Sequence, residues 1–231
     1  MKKLALYAAI MCCILLFTGA AAAVSPVQTE HFRVVAQGPN IKASDLEKIG
    51  EEVEGVYSQV SGVLGVEYKS SGKIEVQVFV TPEKGRSLRA AASAATILLT
   101  LGKVDKGTLR HELTHILIAK PLSTAPRWFH EGLAMYIEHG DIRNAHLNAL
   151  APFEGFSFTR LEARFGADRT EQASYLYAWS IISYIMDTCG KDKIKGIYGQ
   201  SGSFSDKFSK AFGIDLRSIE KKSGEIFAKY K

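Results

Sequence analysis

Cysteine is scarce in this chain of 231 residues, occurring only at Cys12, Cys13 and Cys189. The first two sit in an apolar N-terminal run. Once that run is removed, Cys189 stands alone and no internal disulfide can form. Near a helix end it reads as a small packed residue rather than a nucleophile. Long apolar runs are lacking too: after residue 23 no stretch has the length and apolarity of a membrane-crossing helix. Nor is there an excess of one charge. The formal net charge is +5, and taking Lys2 and Lys3 from the 29 basic side chains leaves 27 against 24 acidic ones, a balance of +3. That is too mild to argue for nucleic acid or an anionic membrane as partner. There is no repeat, and 46% hydrophobic with 23% charged residues is an ordinary globular composition. The length suits one substantial domain, or two small lobes around a cleft, standing on a hydrophobic core alone.

What is present begins with an export signature. Lys2 and Lys3 form a charged start, Leu4 to Phe17 an apolar core, and Ala21-Ala22-Ala23 a small-residue cleavage site. The expectation is a signal peptide over 1–23 and an exported domain, periplasmic or extracellular, over 24–231. An uncleaved anchor is the rival. A lipid on Cys12 or Cys13 fits less well, because both lie inside the apolar core.

Beyond the signal, His31 to Gln37 reads as a short strand. Leu46, Ile49, Val53, Val60 and Leu64 recur at helical spacing with acidic residues between them, which predicts a helix of about five turns capped by Ser44. Ile74, Val76, Val78 and Val80 alternate with Lys73, Glu75, Gln77 and Phe79, the period of a strand. Pro82 to Ala95 is rich in small and basic residues and reads as a loop, or more sharply as a flap over an active site. Thr96 to Leu101 predicts another strand.

The next segment carries chemistry. His111-Glu112-Leu113-Thr114-His115 lies within a predicted helix over about Asp105 to Lys120, with Leu109, Leu113, Ile116 and Leu117 facing the core. Positions i and i+4 share one helix face, roughly 5–6 Å apart at Cβ, so both imidazoles can reach one metal ion. Glu112 is placed to reach a water rather than to ligate. This is the pattern of a zinc hydrolase, two ligands plus a general base. A catalytic zinc needs a third protein ligand. The nearest downstream candidates lie in Pro126 to Ala134. Pro121 ends the first helix and Pro126 suits the first turn of the next. A short link favours antiparallel helices, which brings Glu131 back towards the histidines. Gly132 suggests a close approach between those two helices. His130, His139 and His146 stay open as ligands or orienting partners.

HELTH followed by WFHEGLA resembles the gluzincin metallopeptidases, most of all the small peptidase MA-like proteins; thermolysin and the zinc aminopeptidases are related members. The resemblance is specific over about Leu109–Tyr136 and looser from Phe32 onwards. It implies that Glu131 is the third ligand of one Zn2+ per chain. It also implies that the strand before the metal helix lies at the cleft edge, where an extended substrate can pair. A tyrosine or histidine from the C-terminal lobe holds the oxyanion in that family. Glu171 to Thr188 predicts a largely apolar helix ended by Gly190, and there Tyr177 and Ser180 match the family segment, making Tyr177 the first candidate and Tyr175 the second. Ser203 to Lys231 predicts two short helices.

The expected fold is α+β: a small N-terminal sheet with one long helix and the metal helix over 24–120, then a mostly helical C-terminal lobe over 121–231. The expected activity is peptide hydrolysis on a peptide or protein substrate, with no nucleic acid and no membrane as partner once the signal is gone. A zinc-stabilised binding module that cleaves nothing, and an amidase acting on a non-protein substrate, are the alternatives. The intact Glu112 speaks against the first, since metal binding alone does not require it.

Overall fold

The computed structural model describes residues 24–80, 95–102, 105–145, 153–166 and 171–230. The expected signal at 1–23, most of the expected loop or flap at 82–95, and His146 lie outside them. Four strands, β1 (Val27–Gln28), β2 (Phe32–Ala36), β3 (Ile74–Phe79) and β4 (Thr96–Thr100), form one sheet in chain order. The short β1 was not anticipated. It runs antiparallel to β2, whereas β2–β3 and β3–β4 are parallel. Parallel neighbours need a long connection, and helix α1 (Ala43–Leu64) makes the one between β2 and β3. The register lines Val34 up with Val76 and Val76 with Ile97, so the buried halves of three strands make one continuous apolar face. Helix α1 packs beside it through Leu46, Ile49, Val53, Val56 and Val60. The other face keeps charged partners such as Arg33, 2.6 Å from Glu75.

The start of α1 differs from the sequence reading. Lys42, not Ser44, is the N-cap, and its N–H donates to Asp45 Oδ2 at 2.9 Å. A carboxylate reaching back makes a stronger, charge-assisted bond than a serine hydroxyl, so the helix takes in Ser44 as its second residue.

From residue 105 onwards the described chain is helical: α2 (Lys106–Ala119), α3 (Arg127–His139), α4 (Phe158–Arg164), α5 (Glu171–Cys189), α6 (Ile194–Ile197), α7 (Phe204–Phe212) and α8 (Leu216–Lys229), with two 3-10 turns between. Helix α5 is apolar on nearly every side, as expected of a helix enclosed by others. It packs on α3, α4 and α8. Phe204 and Phe208 of α7 pack edge to face against Trp128 and Phe129 of α3. At the far end Arg143 bonds both Asp141 and Asp187, and Lys229 bonds Asp187 at 3.0 Å, tying α8 to α5. The fold is α+β with its sheet at the N-terminal end. Among the described residues no helix is long and apolar enough to cross a membrane.

Candidate metal centre

Helix α2 starts cleanly because the Asp105 side chain accepts from Gly107 N and Thr108 N. Leu109, Leu113, Ile116 and Leu117 are buried as the periodicity predicts. Their burial fixes the rotation of the helix and leaves His111, Glu112 and His115 half-buried on another side. The two imidazoles lie 4.8 Å apart, centroid to centroid.

The chain turns at Pro121 and re-enters a helix directly after Pro126, which is the N-cap of α3. Proline has no side chain to cap with, so the work falls to Glu162 of α4, a short helix that the sequence pattern did not reveal. Its two carboxylate oxygens accept from Arg127 N at 2.8 Å and Trp128 N at 3.1 Å. Gly132 does mark a close approach, but the neighbour is α5 rather than α2. A Cβ at Gly132 would sit 2.6 Å from the Ala178 carbonyl oxygen. Backbone against backbone, α3 is thereby seated on α5 and turned so that Glu131 faces α2.

The three donor groups converge. Glu131 Oε2 lies 3.6 Å from His111 Nε2 and 3.3 Å from His115 Nε2, and one donor atom from each of the three residues falls within 4.8 Å of the others. Ligands at about 2.0–2.1 Å around a tetrahedral zinc stand about 3.3 Å from one another. The two Glu131–histidine spacings, the donor types and the two-histidine, one-carboxylate composition fit zinc.

Glu138 is the site residue that sequence reasoning missed. Its Oε2 lies 2.8 Å from His111 Nδ1, and because a carboxylate only accepts, Nδ1 must carry the proton. That is the position an outer carboxylate takes when it orients a histidine that binds metal. Glu138 follows Glu131 by seven residues, two helical turns, so the signal was its place on the same face of α3. In the metal-free protein burial works against the charged form of His111, yet Glu131 and Glu138 raise its pKa to about 9. For Glu131, burial raises the pKa, and the two histidines outweigh it and hold the carboxyl far below its usual range.

The remaining candidates sort themselves by contact. His130 Nε2 donates to the Leu122 carbonyl at 3.1 Å, which binds the turn after α2 to α3, and burial lowers its pKa. His139 is paired with Glu138 at 3.3 Å and stacks near Trp179. Tyr177 is 3% exposed and packs between Phe153 and Phe227, with its hydroxyl bonded to Arg164. Tyr175 instead bonds Arg127, which in turn bonds Glu131. The two tyrosines differ by about 200° around α5, and it is Tyr175 that shares the face of Ala178 and Ile182 against α3. Strand β4 forms one edge of the described sheet. A groove of about 1440 Å³ runs past the C-terminal ends of α1 and α2, lined in part by Tyr68, Ala95, Ile116, Ala119 and Tyr198. None of the three metal-binding candidates lines it.

Comparison with protein families finds a match to the Peptidase MA superfamily over residues 90–227, more than half of the chain. No curated protein matches.

Proposed function

The chain belongs to the Peptidase MA superfamily, and from that premise we propose that it is a zinc-dependent metallopeptidase with Glu112 as its general base. The observation that carries the reading is the convergence of His111, His115 and Glu131, with Glu131 Oε2 near the tetrahedral spacing from both imidazole nitrogens. Such an ion, when bound, supplies a Lewis acid that lowers the pKa of water towards about 7 and polarises the scissile carbonyl.

The protein's own groups do the rest. Glu138 holds the Nδ1 proton of His111, leaving the Nε2 lone pair for the metal. Glu112 takes a proton from the attacking water on its carboxylate and returns it to the leaving nitrogen. Tyr175, whose hydroxyl is bonded to Arg127, is the better placed of the two tyrosines to donate its proton to the developing oxyanion. Tyr177 serves the core in this reading. Substrates are peptides or proteins met outside the cytoplasm, after removal of residues 1–23.

The experiment is Glu112→Gln, which keeps size and shape. Turnover of a peptide substrate by the mature, zinc-loaded protein should fall at least about 10²-fold, with zinc content and melting temperature unchanged. Equal turnover in both proteins rejects the mechanism. Zinc and a common partner bound by both proteins, with no peptide cleaved by either, points to a binding module.

A further inference from the structure

We propose that Arg127 is a positioning residue for the metal centre: it occupies Glu131 Oε1 and so confines metal binding to Oε2. The inference rests on the reading of the site as a zinc centre and goes beyond it. The two oxygens of Glu131 face different neighbours. Oε2 faces both imidazoles, whereas Oε1 lies 3.3 Å from Arg127 Nε. A carboxylate beside a divalent ion can turn to bind through both oxygens, and the second would take the position that water and substrate need. An arginine bonded to Oε1 opposes that turn.

An arginine four residues from a glutamate is usually a weak surface pair. This one differs in two respects. Glu131 is only 12% exposed at its side chain, so the bond acts in a poorly solvated place. Arg127 is itself held from several sides: its guanidinium lies 5.1 Å over the Phe165 ring, it bonds Tyr175, and its backbone N–H is fixed by Glu162. Phe165 and Tyr175 pack edge to face at 5.4 Å. Helix α4, the start of α5 and the first turn of α3 thus meet at one planar cation that reaches the third ligand.

The test measures metal binding by Arg127→Met in the full mature protein, apart from any peptide activity. Zinc affinity, from competition with a chromophoric chelator, should weaken by about 10–100-fold, the usual loss when an outer partner of a ligand is removed. The visible absorption of the cobalt-substituted protein should weaken too, as a fifth ligand atom enters. Arg127→Lys, which keeps a cation near Oε1, should recover part of the affinity. Unchanged affinity with an unchanged cobalt spectrum overturns the proposal. So does a loss that lysine does not lessen, which is the pattern of damaged packing over Phe165. If Arg127→Met does not fold, Arg127→Gln takes its place under the same criteria. Unsubstituted protein that binds no zinc fails the metal-centre reading itself. Zinc bound with equal affinity by wild type and variant, together with an unchanged cobalt spectrum, fails this inference alone.

Discussion

A carboxylate that touches one nitrogen of His111 decides what the other nitrogen is free to do. With Glu138 on Nδ1 and Glu131 facing Nε2, the metal-free ring gains a second proton far more readily than a free imidazole. The effect on stability has a definite sign. The pKa of His111 rises from its ordinary 6.5 to about 9 on folding. Its contribution is therefore complete below pH 6.5 and lost as the pH climbs through about 9. Glu131 is depressed from 4.5, so its share is complete above that value and lost only in acid. Metal-free protein should melt highest between about pH 4.5 and 6.5 and less well towards pH 9. Glu138→Gln should flatten that alkaline decline; melting curves across the range, in chelator, measure it. At this scale the sequence was readable where spacing alone decides, as at His111 and His115. It was not readable where helix rotation decides. Tyr175 and Tyr177 lie in a segment that is apolar all round, and without a polar face nothing in the sequence fixes which tyrosine turns towards α3.

Among the elements, α3 carries the candidate third ligand, and what steadies it lies elsewhere in the chain. Its N-terminus depends on Glu162 and its rotation on Gly132 resting against Ala178. Gly132→Ala would set a methyl 2.6 Å from a backbone oxygen, so the helices must part. The expected cost is about 1–3 kcal/mol of stability, together with weaker zinc binding because Glu131 is carried away from the histidines. Thermal melting and a zinc titration of the variant check both halves. The sequence marked Gly132 as a contact but assigned it to the wrong neighbour, because a missing side chain says that something comes close and not what. Helix α4 escaped notice for a related reason. Seven residues with a single buried leucine, Leu161, show no period to recognise.

For the whole molecule, the legible part was the α+β order, since alternation in β3 and periodicity in α1 each span enough residues to declare themselves. The edge strand β1, two residues long, could not. Zinc should link the two ends of the fold energetically, because its ligands come from α2, packed beside α1, and from α3, seated on α5. At free zinc about 100-fold above its dissociation constant, binding adds about 2.7 kcal/mol. At about 2–4 °C per kcal/mol for a chain of this size, chelation should lower the melting temperature by about 5–11 °C; calorimetry with and without chelator measures it. The Gly132–Ala178 contact also bears on timing. A ribosome delivers His111, His115 and Glu131 before it has made Ala178, the surface that aims the glutamate. A chain that ends before Ala178 would own all three candidate ligands and still lack the brace, so zinc should bind it less tightly than the whole protein. If the site is a zinc centre, its order of assembly then follows the packing of α5 on α3, wherever in the cell that contact forms.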